Sequence, residues 1–281
     1  MIHQLTASAF SRHLDLRYPS NRFAVAVSVA AGAIFVGFAW WDDRFTYFGA
    51  VAAAIAVFLA WAIGREFDPD HTSVAGIAAV SAIGVVFIGL PGALVVFAVL
   101  IAVRGIAGTT GRTLKWVDVL PLGAAGYASG GSVWSWSVAI IIFAWLKSDP
   151  DVGKRRWWGV GALSAGFGLG WYLGDLDPIV FSWTSGLLGI GVVALTMLAV
   201  ASVSAHGPTD SGRGSISADR VRLARLAGGI IALAAVLLGG QDALLQLGPV
   251  ACALGATALI VVAGWVGLVD ADSARSRTES A

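Results

Sequence analysis

A single cysteine, Cys252, stands in the 281 residues, so an intramolecular disulfide and a cysteine-based zinc cluster are both excluded. It lies in an apolar run and reads as a small helix-packing residue. Charge is scarce. Asp, Glu, Lys and Arg make up 12% of the chain, where soluble domains carry about 25%. The formal net charge of +1 supplies no basic field for nucleic acid. His3, His13, His71 and His206 show no metal-ligand spacing of the His-x3-His or His-Glu-x2-His kind. The chain has neither a Gly-x-Ser-x-Gly nucleophile turn nor a Gly-x4-Gly-Lys-Ser/Thr phosphate loop. A proton- or sodium-coupled carrier needs ionisable groups at mid-membrane, and the apolar runs have almost none.

What fills the sequence instead is hydrocarbon, with hydrophobic residues at 57%. That is more apolar surface than one water-soluble core can bury, and a lipid bilayer is the solvent that accepts the excess. A span needs about 20 predominantly apolar residues. Segments of that kind run over 23–41, 46–64, 73–89, 91–107, 116–130, 132–147, 157–173, 178–203, 222–241 and 246–269, separated by charges, Pro-Gly pairs or Gly-Ser runs. The expected fold class is therefore all-α, a polytopic transmembrane helical bundle of about ten helices. Spans three to six are short, and 116–130 carries Asp118 and Pro121. Eight spans plus a re-entrant hairpin is thus the alternative architecture.

Charge sorting sets the orientation. With the N-terminus inside, the even-numbered loops and both tails hold every Lys and Arg of the 18 except Arg44, as the positive-inside rule predicts. Both termini are then cytoplasmic. Only Lys115, Lys147 and Lys154 among those 18 are lysine. This bias and the Ala/Gly/Val richness point to a GC-rich prokaryote and its cell membrane. The 12 tryptophans fall near expected span ends, the headgroup level that indoles prefer.

Residues 1–22 form a cytoplasmic N-terminal segment that does not read as a cleavable signal. Leu5, Phe10 and Leu14 beside Arg12, His13 and Arg17 fit an interfacial helix, and a frayed terminus fits as well. Residues 23–269 form the membrane domain and 270–281 a disordered cytoplasmic tail. Within the domain, Ala60-Trp61 before Asp68-Pro69-Asp70 echoes Ala144-Trp145 before Asp149-Pro150-Asp151. The echo suggests a four-helix unit over 23–107 repeated over 116–203, followed by the pair 222–269. The 36 glycines, many beside alanine or serine, fit close helix–helix approach.

Chemistry concentrates in the run Arg65-Glu66-Phe67-Asp68-Pro69-Asp70-His71. With Asp149 and Asp151, its Glu66, Asp68, Asp70 and His71 form a candidate metal and phosphate site. Mg²⁺ is the cation such a set suits, since it takes one or two carboxylates and leaves positions for water and phosphate. Arg65 belongs to the same cluster, and Arg112, Lys115, Lys154 and Arg155 on that face are candidate phosphate ligands. The same acids also fit helix capping: Asp70, Asp151 and Asp177 each precede an expected helix. The function this favours is a cytosol-facing, divalent-cation-assisted site for a lipid or isoprenoid phosphate. Whether the protein is an enzyme stays open. A permease with a path through spans three to six, or a non-catalytic assembly subunit, are the alternatives. Cysteine introduced at Lys154 should react with an impermeant maleimide only from the cytoplasmic side. Labelling from outside would overturn the orientation.

Overall fold

The computed structural model describes residues 8–11, 14–42, 46–174, 179, 182–203, 205, 207–212, 214–266 and 268. His3, His13, His206, Arg44, Asp175, Asp177 and the 270–281 tail lie outside them. The described residues are organised as ten α-helices without a strand. These are α1 Pro19–Ala39, α2 Tyr47–Phe67, α3 Thr72–Ile88, α4 Ala93–Ala107, α5 Val119–Gly130, α6 Trp136–Ser148, α7 Arg156–Leu173, α8 Trp183–Ala201, α9 Ala218–Gln246 and α10 Gly248–Trp265. Short 3₁₀ turns at Trp116–Asp118 and Pro150–Arg155 introduce α5 and α7.

Helix ends follow local chemistry. Thr46 caps α2 by accepting the Gly49 N–H at 2.9 Å, and Ser182 does the same for α8 through Ser185. Gly108, at φ 65°, ends α4 in the left-handed conformation that glycine adopts without steric cost. Asp149 accepts the Asp151 N–H and so caps the turn ahead of α7. Asp70 and Asp151 themselves do not cap. The residue before α3 is His71, and its side chain makes no capping bond. The break expected from sequence near Gln241-Asp242 falls at Gly240, where φ 69° and ψ −153° leave the helical region and divide α9 into a long first part and a short second part that ends at Gln246.

Five helices, α1, α2, α8, α9 and α10, are long and apolar enough to cross a membrane, and α3, α4 and α6 are shorter apolar helices. Small residues occupy the interior: Ala53, Ala60, Ala75, Ala78, Ala79 and Ala82 are wholly buried. Large apolar residues fill the rest of the interior, such as Phe67, Ile101 and Leu122, and also face out, among them Phe48, Val51, Ile140, Leu187, Ile190 and Leu259. Water would disfavour so much exposed apolar bulk, whereas hydrocarbon tolerates it and rewards close backbone approach inside. The tryptophans follow in part. Trp40, Trp41, Trp116, Trp157, Trp158, Trp183 and Trp265 are exposed, while Trp61 and Trp134 turn into the core.

α2, α4 and α9 make the centre. α2 packs on α1, α3 and α10, while α4 packs on α5, α6, α9 and α2. Residues 23–107 pair α1 with α2 and α2 with α3, whereas 116–203 is dominated by α5 against α7. The two segments of the suggested repeat therefore do not share a helix-pairing pattern. Helix ends gather in two sets. The basal set holds the C-termini of α2, α4, α6 and α8 with the starts of α5 and α9, tied by side-chain hydrogen bonds. The distal set includes the α3–α4 turn against the end of α9, where Gly92 N–H donates to Gln246 C=O at 3.1 Å.

The α5–α7 contact runs through glycine. A methyl group at Gly126 would overlap the Leu163 carbonyl, and one at Gly166 or Gly170 would overlap the Gly123 or Tyr127 carbonyl. By contrast, nothing lies within 4 Å of a methyl at Gly161 or Gly168. Gly166→Val should therefore lower stability by about 1–3 kcal/mol or more. Gly168→Ala should leave the midpoint of thermal unfolding in detergent nearly unchanged. Equal midpoints for the two variants would refute a glycine-mediated contact.

Candidate functional site

Three arginines organise the basal end, each joining several elements. Arg104, near the end of α4, donates Nε–H to Glu66 Oε1 of α2 at 2.7 Å and Nη1–H to the Phe10 carbonyl. The Thr109 hydroxyl donates to the other Glu66 oxygen. Glu66 is wholly buried, so both carboxylate oxygens are satisfied within the protein, as burial of a charge demands. Arg104 points inward, held between Glu66 and the Phe10 carbonyl.

Arg225 lies further into α9 and is 1% exposed. Its guanidinium donates to the carbonyls of Phe67, Ala199 and Ser202 and sits 3.5 Å from Asp68 Oδ2. The remaining Asp68 oxygen accepts the His71 N–H at 3.1 Å and faces His71 Nδ1 at 2.9 Å. That hydrogen bond to Asp68 raises the His71 pKa above 6.5, against the opposing effect of burial.

Arg220, one turn earlier, covers the end of α4. Nε–H and Nη2–H donate to the carbonyls of Ile106 and Gly105 at 2.8 and 3.0 Å. Nη2 also meets Asp149 Oδ2 at 2.6 Å, and Nη1 reaches Asp151 Oδ2 at 3.4 Å. Trp145 Nε1–H donates to the same Asp149 oxygen at 2.8 Å. A cation over terminal carbonyls is favoured by the helix dipole, and Asp149 neutralises it.

The N-terminal segment enters the same network. Residues 8–11 form a turn inserted among the helix ends, not a helix on the surface. Asp118, wholly buried, accepts from the Ser8 hydroxyl, from Ala9 N–H at 2.8 Å and from Lys115 N–H at 2.6 Å. Thr110 Oγ1–H donates to the Ala9 carbonyl at 2.9 Å. Residues 207–212 and 214–216 close over the top, with Asp210 and Ser211 N–H groups donating to Thr109 and Thr110 carbonyls.

Between these parts lies a cavity of about 480 Å³, lined by Arg104, Arg112, Arg220, Thr110, Trp145 and Asp149 among others. Of the residues expected from sequence, Arg112, Asp149 and Asp151 line it. Glu66 stands behind Arg104, and Asp68 and His71 belong to the Arg225 cluster. Asp70 Oδ1 accepts the Gly207 N–H at 3.3 Å. Arg65 lies over Trp61, 5.5 Å from the ring centroid. Lys115 starts the turn before α5. Lys154 and Arg155 are exposed on the turn before α7, with Arg155 Nη1–H reaching the Leu114 carbonyl at 3.4 Å. The acidic residues therefore do not form one constellation. Among the described residues no three His, Cys, Asp or Glu side chains group as metal ligands. The two carboxylates at the cavity face the Arg220 guanidinium, a poor setting for Mg²⁺.

Sequence reasoning missed Arg220, Arg225 and Thr109, and took Asp118 only as a charge carried by the short segment 116–130. One signal was present: Arg225 is the fourth residue of the expected segment 222–241, one turn inside it, a position that favours internal partners. No protein-family model matches this chain, and neither a curated protein nor a solved structure matches it.

Glu66→Ala leaves Arg104 buried without its carboxylate and should cost about 3–5 kcal/mol, read by denaturant unfolding in detergent. Wild-type stability would contradict the buried pair. His71, whose folded pKa is raised, should contribute stability that is complete below pH 6.5. That contribution should fade as pH climbs through the raised value. The unfolding midpoints of wild type and His71→Ala should accordingly converge at alkaline pH. A gap that widens there would reverse the sign.

Proposed function

We propose that the chain is a ten-span membrane protein with both termini in the cytoplasm of a prokaryotic cell. Its basal cavity binds the phosphate head of a lipid-like ligand such as an isoprenoid phosphate. The observation that carries the reading is the convergence of Arg104, Arg112 and Arg220, from three separate elements, on one cavity of about 480 Å³. Thr110, Thr113, Ser215 and Ser217 line the same space and are suitable hydroxyl donors to phosphate oxygens. Trp145, Phe10 and Leu114 supply an apolar wall, as expected of a small-molecule pocket.

Charge balance favours an anion. Arg104 is matched by Glu66, and Arg220 by Asp149 and Asp151. Arg112 donates to the Ser11 carbonyl at 3.2 Å and has no carboxylate partner among the described residues. A phosphate oxygen is the natural complement of that guanidinium. The donor set gives no reason to route a step through a metal ion.

Support for ten crossings comes from how deep the hairpins reach. The α3–α4 turn meets the end of α9 at Gln246, the opposite end of that element from the Arg220 and Arg225 pairs. The end of α5 reaches the end of α7, where Gly130 lies against Phe167 and Trp171. The short α4 is mostly buried, and helical backbone enclosed by protein need not match the hydrocarbon thickness. The basal end, which holds Arg104, Arg112, Arg220 and Arg225, is the face that the positive-inside rule assigns to the cytoplasm.

The test uses inorganic pyrophosphate and the full-length protein in detergent, followed by titration calorimetry. Wild type should bind, and Arg112→Gln should bind at least tenfold more weakly, the equivalent of one charge-assisted hydrogen bond. Lys154→Gln, on the exposed turn, should bind like wild type. No binding by wild type, or equal binding by Arg112→Gln, would remove the reading. Flux through liposomes without pyrophosphate binding would instead favour a permease.

A further inference from the structure

The head-group cavity has a neighbour. A second cavity of about 230 Å³ lies between α2 and α4 at the basal end, walled chiefly by Phe58, Leu59, Trp61, Phe97 and Leu100. Its lining is mostly apolar. Two residues belong to both cavities, Phe10 and Arg104. Arg104 thus marks the line where the polar space ends and the apolar space begins.

Phe10 is the partition at that line. It is 5% exposed and sets its ring edge-on to Trp145, with centroids 5.8 Å apart and planes at 68°. The backbone carrying it belongs to no helix. It is held by single side-chain contacts: Asp118 to Ser8 and Ala9, Thr110 to Ala9, Arg104 to Phe10 and Arg112 to Ser11. Two of these four anchors, Arg104 and Arg112, are also the cations of the head-group cavity. A phosphate binding to them competes directly for the donors that hold Phe10 and Ser11 in place. Occupation of the first cavity therefore loosens the wall to the second.

We infer that the two cavities are halves of one site for an acid-headed, single-chain amphiphile, divided in this structure by Phe10. The phosphate lies against Arg104 and Arg112, the hydrocarbon chain lies between α2 and α4, and Phe10 turns aside to join the two spaces. The inference rests on the head-group reading above and adds the tail, the groove that takes it and the side chain that gates it. One occupant suits both volumes. A free phosphate would leave the α2–α4 groove unused, and a neutral lipid would leave Arg112 without a complement. The apolar groove follows directly on from the arginines, which sets the order of polar head and apolar chain.

The experiment compares inorganic pyrophosphate with farnesyl diphosphate, which carries the same head on an isoprenoid chain. Both are titrated against the full-length protein in peptidiscs. Wild type should bind farnesyl diphosphate at least tenfold more tightly. Ala62→Phe, which fills the α2–α4 groove, should bring that advantage down to less than twofold. Phe10→Ala, which removes the partition, should increase it severalfold. If Ala62→Phe does not fold, Phe10→Ala decides alone. Equal affinities in wild type overturn the inference, as does an advantage that neither variant alters, because partition into the scaffold would then explain it. In either case, pyrophosphate binding that still depends on Arg112 leaves the head-group reading standing. Absence of that dependence removes both.

Discussion

Helix termini inside a largely water-free protein present carbonyl groups with no partner, and arginine is the side chain that supplies this fold's answer. The last four carbonyls of an α-helix lack intrahelical donors, and a guanidinium carries five N–H groups in a planar fork. Arg225 uses its fork on carbonyls at the ends of α2 and α8. Arg220 covers the end of α4 and binds the carboxylate that follows α6. Arg104 ties α4 to α2 and to the N-terminal turn. Three side chains thus bind together the basal ends of the bundle, and each has an acidic partner that limits the cost of burying its charge.

The remainder of the bundle is held by contact. Apolar association offers little net gain between helices whose alternative neighbour is lipid. Stability then depends on how closely backbones approach, which explains the wholly buried alanines of α2 and α3 and the glycine seam between α5 and α7. The two devices divide the molecule. Small residues set the spacing along the helices, and arginines set the relation of their ends. The basal end is the place where polar groups must meet, and a cavity with directional donors forms there and not at mid-bundle.

Sequence revealed the helices well because the signals that bound them are local. Proline, glycine and charge cost free energy inside an apolar helix whatever surrounds it. The ten expected segments accordingly match ten helices in order, five of them long and apolar enough to cross a membrane. Misreadings occurred where a distant partner cancels a local cost. Arg65 and Glu66 read as loop, yet α2 continues through them to Phe67 because Arg104 and Thr109 satisfy Glu66. By contrast, the break read near Gln241-Asp242 stands, one residue earlier at Gly240, where the backbone leaves the helical region. The site was legible in part for the same reason. The dense acidic run and the basic loops could be found along the chain. Which carboxylate meets which arginine is decided by tertiary pairing across the chain, of Glu66 with Arg104 and of Asp68 with Arg225, and no spacing rule reaches that far.

That pairing also decides what kind of ligand the cavity can take. An acidic run near a phosphate-sized space suggests a metal ion only while its carboxylates are available. Here Glu66 is matched by Arg104, Asp68 by Arg225 and His71, and Asp149 by Arg220 and Trp145. A dication placed beside Asp149 would face the Arg220 guanidinium across the same oxygen, and the Coulomb repulsion would grow as the site dries. An anion meets the opposite field. It can share Arg104 and Arg112 with the backbone carbonyls of Phe10 and Ser11, and a charged acceptor competes well against a neutral carbonyl for the same N–H donors. On the proposed reading an anion at the basal end would displace a peptide segment, and the N-terminal turn would then belong to the site as much as the helices do.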